Sequence, residues 1–172
     1  QGAIADYTKA IAINPQYASA YINRGRAKDK LGDYQGAISD YNKAIVINPQ
    51  HASAYYNRGT PKIKLGDNQG AIADYTKAIA INPQYVGAYI NRGYVKYDLG
   101  DNQGAIADYS KAIEIDPQNA HAYQGRGISK FLLNDKKGAC ADWKKSLSLG
   151  NKTTERMFAD PRMDFGSCRN MR

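Results

Sequence analysis

Residue types that commonly carry chemistry are scarce in this chain of 172 residues. Its two cysteines cannot form a disulfide framework, and its two histidines are too few for a zinc pattern. Phe and Trp number only three and one, and no apolar run approaches the roughly 18 residues that would suggest a membrane span. Glycine-rich phosphate loops, nucleophile motifs and metalloprotease motifs are also missing. We therefore expect no metal, no cofactor and no catalytic site.

The amino-acid sequence instead repeats with a period of 34 residues. Residues 1–17 recur without change as residues 69–85, two periods later. Further copies, increasingly divergent, begin at Gln35, Gln103 and Lys137. Self-similarity at such a period is typical of a solenoid, in which each unit buries its apolar face against its neighbours. The repeat therefore defines the fold.

The unit at residues 52–85 shows how each period is built. Apolar or small residues at helical spacing predict a first helix, and Gly66 tolerates the positive φ that ends it. Asp67 is a good N-cap for a second helix, which carries an apolar stripe until Asn82-Pro83 ends it. The unit is therefore predicted to be two antiparallel helices joined by a tight turn. No segment is predicted to be a strand.

This unit resembles the tetratricopeptide repeat, a helix–turn–helix motif with aromatic, small and proline residues at fixed offsets. The matching residues in one unit are Tyr55, Gly59, Ala71, Tyr75, Ala78 and Pro83. The resemblance covers residues 1 to about 150 and implies an all-α fold, a right-handed α-solenoid of 34-residue repeats. The alternative, a 35-residue RNA-binding helical repeat, has the wrong period. Family members are mostly scaffolds that bind proteins or peptides in a concave groove lined by the first helix of each unit.

The same period sets the expected domains. Residues 1–17 are the second helix of a truncated repeat, 18–51, 52–85 and 86–119 are full repeats, 120–151 form a divergent last repeat, and 152–172 are a C-terminal cap or a disordered tail. A cap would use Met157, Phe158, Met163 and Phe165. Cys140 stands where the other copies have isoleucine, so we expect a core residue, whereas Cys168 in the tail is expected to be a free thiol.

Two departures from the family pattern involve charge and proline. Arginine replaces the usual leucine of each first helix, and aspartate recurs on each second helix: Arg24, Arg58, Arg92 and Arg126, with Asp6, Asp40, Asp74, Asp108 and Asp142. Because both keep one period, we expect most of the arginines to lie within about 4 Å of a repeat aspartate, and we favour the aspartate on the adjacent second helix. The alternative is that both charges extend separately to water. Pro61, inside a first helix, is expected to bend it or break a hydrogen bond near Asn57, at a cost of order 3 kcal/mol.

The family layout places a candidate partner-binding groove on the first helices. Its predicted residues are Asn23, Arg26, Lys30, Tyr56, Asn57, Lys64, Asn91, Tyr94 and Tyr97. The asparagines form a ladder whose amides can donate and accept, the tyrosines add flat apolar area, and the basic residues make one end cationic. A known carboxylate clamp of the family would have lysine at Ile22 and asparagine at Arg26, so we expect an extended segment with acidic character instead. The alternative for the asparagines is that duplication multiplied a solvated position.

Charge is concentrated at the C-terminal end. Residues 1–119 carry 13 basic against 11 acidic residues, and residues 120–172 carry 11 against 5. Such an end can attract nucleic acid, anionic lipid or acidic protein, or can be a solvated cap. Nucleic acid is not expected, because the tail offers only Phe158 and Phe165 for stacking.

The sequence thus predicts a protein–protein interaction scaffold that is not an enzyme and binds a protein or peptide partner. The alternatives are a targeting or oligomerisation arm of a larger protein with a catalytic domain, and nucleic-acid binding through the basic end. Since the helix that begins at Gln1 lacks its own first helix, end-to-end self-association of the fragment is expected. No segment identifies a compartment, although the cytoplasm is favoured.

Overall fold

The computed structural model describes residues 2–159 and Cys168, and each regular element in residues 2–159 is an α-helix. The helices are α1 (Gly2–Ile13), α2 (Ala18–Lys30), α3 (Tyr34–Ile47), α4 (Ala52–Lys64), α5 (Asn68–Ile81), α6 (Val86–Asp98), α7 (Asn102–Ile115), α8 (Ala120–Leu132), α9 (Lys136–Ser148) and α10 (Lys152–Ala159). This confirms the predicted all-α class of helix–turn–helix repeats. The chain divides into two compact units, residues 1–88 and 89–172, with the boundary inside α6. Within the described residues, no helix is long and apolar enough to cross a membrane.

In the repeat at residues 52–85, three residues mark the helix ends as predicted. Gly66 follows α4 with φ of 83°, in the left-handed region that favours glycine. The carboxylate of Asp67 then accepts a hydrogen bond from the backbone N–H of Gly70 at 2.8 Å and so caps α5. Asn82 is extended, with φ of −129°, and ends α5 before Pro83. These local signals fix where the helices begin and end.

The two helices of a repeat meet at a seam of small residues against one aromatic ring. Ala71, Tyr75 and Ala78 on α5 are fully buried. A Cβ atom at Gly59 on α4 would lie 2.6 Å from a ring carbon of Tyr75, which is closer than real Cβ contacts. Because the ring is enclosed and cannot move aside, Gly59 has to lack a side chain for the helices to approach.

Each repeat is also held by a forked ion pair between its two helices. In the repeat at residues 18–51, Arg24 donates from Nε and Nη2 to the two carboxylate oxygens of Asp40, at 2.9 and 2.7 Å. The same geometry recurs in three further pairs, Arg58 with Asp74, Arg92 with Asp108 and Arg126 with Asp142, at 2.5 to 2.9 Å. The predicted Arg–Asp pairing is therefore confirmed in all four repeats, and always with the adjacent second helix.

A lysine one turn after the arginine completes a three-residue cluster, which we call the Arg–Lys–Asp cluster. Lys28 lies 2.9 Å from Asp40, and Lys62 lies 2.9 Å from Asp74. Lys96 and Lys130 do the same for Asp108 and Asp142 at 2.8 Å. Each of these aspartates is at most 4% exposed. Two cations thus neutralise one buried carboxylate, as a buried charge requires.

The arginines also reach the second helix of the preceding repeat. Arg24 donates from Nη1 to Thr8 at 3.1 Å, and Arg58 donates from Nη1 to Asn42 at 2.5 Å. In the second unit Arg126 donates in the same way to Ser110, at 3.2 Å. Hydrogen bonds to Asp40 raise the pKa of Arg24 above its ordinary value. One guanidinium therefore ties the two helices of its own repeat to the repeat before it.

Removing one partner from an Arg–Lys–Asp cluster should destabilise the fold. Asp74→Asn would remove the carboxylate that Arg58 and Lys62 share and would leave Lys62 with Asp67 at 4.0 Å; both cations are less than one-fifth exposed. We expect unfolding free energy to fall by about 3 kcal/mol, the usual effect of breaking a buried pair. Urea unfolding followed by circular dichroism would measure this loss.

Asp116→Asn is the matched control. Asp116 occupies the position after α7 that Asn48 and Asn82 occupy after α3 and α5. From the described residues, its carboxylate accepts one turn hydrogen bond from the Gln118 backbone and one hydrogen bond from the Asn119 side chain. We expect a change within about 0.5 kcal/mol. Equal stability of both variants would show that the cluster does not hold the helices together.

Helix α1 has the same sequence as the corresponding part of α5 but a different environment. Tyr75 is fully buried and Asp74 is 3% exposed, whereas Tyr7 is only half-buried and Asp6 is exposed. Among the described residues, no cation lies within 4.0 Å of the Asp6 carboxylate. Ala3, which corresponds to the buried Ala71, is exposed as well. One face of α1 is therefore uncovered.

This uncovered face leads us to expect that copies of the chain associate through α1. Tyr7→Lys should weaken association in sedimentation equilibrium, because it places a charge within the apolar face. Ala12→Lys is the control, since Val46 at the same repeat position of α3 stays 77% exposed. Purely monomeric sedimentation at high protein concentration, or equal effects of both substitutions, would contradict the expectation.

The last repeat is followed by α10 and by a disulfide. Asn151 caps α10 by accepting from the backbone of Thr153 and Thr154 at 2.9 and 3.1 Å. Cys140 is 2% exposed in an apolar cluster, as predicted, but it is bonded to Cys168. The expectation of a free thiol at Cys168 was therefore wrong. The proposed cap residues Met163 and Phe165 lie outside the described residues, as do the side chains of Met157 and Phe158.

Candidate functional site

The first helices of the first unit line an open cavity of about 440 Å³, here called the first-unit cavity. Its lining residues are Ser19, Ile22, Asn23, Arg26, His51, Ser53, Tyr56, Asn57 and Tyr85. Seven of the nine come from α2 and α4, at repeat positions that the family layout assigns to the groove. The volume falls in the range of ligand pockets.

Two amides in this cavity are available to a ligand. Asn23 and Asn57 lie at equivalent positions of α2 and α4, and both are half-buried. Neither side chain hydrogen-bonds to any other described residue. Each can therefore offer one acceptor and two donors to an extended backbone.

Arg26 and Lys30 supply positive charge beside these amides. A second cavity of about 310 Å³ is lined by Ala3, Tyr7, Asn23, Arg26, Ala27 and Lys30. Asn23 and Arg26 are thus shared by both cavities. Lys64 lines neither cavity. It lies near Asp29. Burial raises the pKa of Asp29 above its usual value, and the positive charge of Lys64 offsets part of that rise.

An aromatic wall closes one side of the first-unit cavity. The rings of Tyr56 and Tyr85 are 4.7 Å apart between centroids and inclined by 32°, and Tyr56 also contacts Tyr75 at 5.8 Å. Within this wall, burial raises the pKa of Tyr85 to about 12. The wall offers apolar ring faces with polar tips.

The remaining predicted residues lie in the second unit. Tyr94 and Tyr97 on α6 form a ring pair with centroids 6.5 Å apart, and Tyr94 is 52% exposed. Asn91 precedes them on α6 and is half-buried. The next position of the ladder is Gly125, where a Cβ atom would lie 2.5 Å from the Tyr109 ring. The asparagine therefore gives way to glycine where the space is filled by an aromatic ring.

Sequence analysis missed His51 and Tyr85 as cavity residues. Both immediately precede a first helix, and the His51 ring nitrogen Nδ1 lies 2.9 Å from the Ser53 hydroxyl. The predicted groove included only positions within the helices, whereas the residue before α4 and the residue before α6 also line the cavity. The recurrence of large residues at this point of the period, Tyr17, His51 and Tyr85, is the signal that could have found them.

The described part of the chain contains no cluster of metal-binding side chains. No group of three or more His, Cys, Asp or Glu side chains in residues 2–159 and Cys168 could hold a metal ion. The polar groups of the first-unit cavity are amides, hydroxyls, an imidazole and a guanidinium. These groups are suited to hydrogen bonding and charge pairing with a ligand.

Comparison with known proteins identifies the family. The sequence model described as "TPR repeat" matches residues 1–32, 30–60, 62–100 and 93–134. This chain belongs to the tetratricopeptide-repeat family. The resemblance found in the sequence is thereby confirmed, and repeats of this family generally serve as interaction scaffolds without catalysis. No curated protein sequence matches the chain.

Solved structures of tetratricopeptide-repeat proteins share the fold. The crystal structure of MamA is 29% identical, covers 88% of this chain and 89% of its own, and has a TM-score of 0.80. YrrB, described as a TPR protein with an unusual peptide-binding site, is 20% identical, covers 91% and 82%, and has a TM-score of 0.75. The first TPR of Spaghetti (RPAP3), bound to the HSP90 peptide SRMEEVD, is 28% identical, covers 69% and 94%, and has a TM-score of 0.67.

Pro61 lies one turn after the cavity residues Tyr56 and Asn57. Helix α4 continues through it from Ala52 to Lys64, and the Pro61 ring is fully buried. Proline has no N–H to donate to the carbonyl of Asn57, so one bond of the helix is not made. The helix is not interrupted, and a bend at this point stays a prediction.

We expect Pro61→Ala to raise unfolding free energy by about 1–2 kcal/mol. Replacing an internal proline gains about 3 kcal/mol, and the two buried methylenes that are lost offset about half of that. Val95→Ala is the comparison, because Val95 occupies the same repeat position, is 1% exposed and can only lose burial. An unchanged melting temperature in Pro61→Ala would refute the argument.

Proposed function

We propose that this tetratricopeptide-repeat chain is a non-catalytic scaffold whose first helices bind an extended segment of a partner protein. The observation that carries the proposal is the first-unit cavity, which gathers Asn23, Arg26, Tyr56 and Asn57 from α2 and α4. The relatives described above support it, since RPAP3 was solved with a peptide and YrrB is described by its peptide-binding site.

The chemistry of the cavity matches an extended backbone. Such a backbone presents one N–H and one C=O per residue, all of which lose water on binding and need partners. Asn23 and Asn57 repeat one amide at a fixed position of successive first helices. The aromatic wall of Tyr56 and Tyr85 adds apolar area for side chains. We expect Asn91, Tyr94 and Tyr97 to play the same part in the second unit.

The test is selection from an unbiased peptide library followed by substitution of the two amides. We expect the double variant Asn23→Ala, Asn57→Ala to weaken binding of selected peptides at least about tenfold, since two hydrogen bonds of about 1 kcal/mol each are lost. Affinity is measured by fluorescence anisotropy on labelled peptides.

Lys43→Ala with Lys77→Ala is the matched control, because both lysines are exposed on second helices and neither lines the cavity. Peptides that keep full affinity in the asparagine variant would contradict the proposal. Binding of an oligonucleotide that is lost on removal of residues 151–172 would instead favour the basic C-terminal end.

A further inference from the structure

Arg26 differs from the arginines that recur with the period. Arg24 and Arg58 each fork onto an aspartate, whereas Arg26 is exposed and has no carboxylate of the described residues within 4.0 Å. Two residues along a helix correspond to about 200°, so Arg26 points away from the aspartate that Arg24 holds. Within the described residues, its charge therefore contributes no ion pair.

Duplication does not explain Arg26 either. The same position of the later repeats holds Thr60, Tyr94 and Ile128. The asparagines of the cavity recur from repeat to repeat, as copies of one ancestral residue would. Arginine at the Arg26 position, in contrast, occurs in one repeat only. An unrepeated charge without a structural partner, at the wall shared by two cavities, indicates a role in recognition.

The surroundings of Arg26 favour a negatively charged ligand group. No Asp or Glu lines either cavity, and the second cavity adds Lys30. Tyr85 brings no negative charge at neutral pH, as for any phenol well below its pKa; burial raises that pKa to about 12, although the nearby positive charge of Arg26 acts in the opposite direction. Asp29 follows one turn later on α2, but the cation that acts on its carboxylate is Lys64. Among the residues that line the two cavities, no carboxylate therefore offsets the positive charge of Arg26.

The opposite wall favours an apolar group beside that charge. Tyr56 packs on Tyr85, and Gly87 leaves room for it, since a Cβ atom there would lie 3.1 Å from the Tyr56 hydroxyl. A ring or prolyl side chain can stack on such a wall. Both features line the same cavity of about 440 Å³ and can be occupied by neighbouring residues of one segment.

We propose that Arg26 binds the side-chain carboxylate of an internal Asp or Glu of the partner segment, next to an aromatic or prolyl residue that packs on Tyr56 and Tyr85. This assignment rests on the proposed function and specifies its ligand. A guanidinium can take a carboxylate through two parallel hydrogen bonds, which gives direction as well as charge. The asparagines then hold the backbone while Arg26 selects the sequence.

The test compares the peptides selected by three proteins from one random library. Peptides are displayed with their C-termini fused to the carrier, so that no free terminal carboxylate is present. We expect the wild type to enrich Asp or Glu beside an aromatic or proline, Arg26→Gln to lose the acidic preference, and Arg26→Glu to select Lys or Arg at that place. Lys43→Gln, the same charge change on an exposed second-helix residue, should leave the preference unchanged.

A second measurement isolates the pair. One selected peptide is synthesised with blocked ends, with Glu or with Gln at the acidic position. We expect the Gln peptide to bind the wild type about tenfold more weakly than the Glu peptide does. On Arg26→Gln, the two peptides should bind with equal affinity, as a double-mutant cycle requires. Binding that requires a free C-terminus, or phosphoserine in place of Glu, would overturn the assignment.

The outcomes separate this inference from the function on which it rests. An acidic preference that survives in Arg26→Gln, together with weaker binding in the asparagine variant, would overturn the role of Arg26 and leave the scaffold function standing. Failure of the wild type to bind any peptide would overturn both. Circular dichroism and the urea midpoint show that each variant is folded, which is expected because Arg26 is exposed.

Discussion

The Arg–Lys–Asp cluster is the interaction on which the arrangement of the repeats depends. One carboxylate on the second helix holds two cations one turn apart on the first helix, as with Arg58 and Lys62 at Asp74. Two fixed points on one helix determine both its rotation and its height against the neighbouring helix. Asn57, which precedes Arg58 on α4, is thereby held on a different face of that helix from the cluster. A leucine at the arginine position would pack on the seam, but it would not set the rotation through directional bonds.

Much of the fold could be predicted because its determinants are local and repeated. Gly66, Asp67 and Asn82 act through their own backbone or through neighbours three residues away. The Arg–Asp pairing was predictable because its partners share the period. Lysine keeps that period too, so its place in the cluster could have been found. Cys168 gave no such signal: it lies beyond the last repeat, and pairing with Cys140 depends on the path of a segment without periodicity.

The candidate site was harder to predict than the fold, for reasons seen in identical sequences. Residues 1–17 and 69–85 are the same, yet Tyr7 is half-buried where Tyr75 is enclosed, and Tyr17 is 50% exposed where Tyr85 lines a cavity. Burial is decided by neighbouring helices, which a residue's own sequence does not contain. A periodic pattern can therefore place a residue on the first helix, but the cavity around it depends on the repeats at either side.

Repetition and recognition make opposite demands on such a chain. Residues that recur, among them Gly59, the aromatic residue at the Tyr75 position (Trp143 in the last repeat) and the Arg–Lys–Asp cluster, keep their chemical type from repeat to repeat because the seams are alike. A surface made only of such residues would offer an identical site at every repeat and could not fix the register of a ligand. Register needs residues that occur once, and the first helices supply them at one position as Arg26, Thr60, Tyr94 and Ile128. If the repeated asparagines hold the backbone, as proposed, the choice of partner would rest on the residues that break the period.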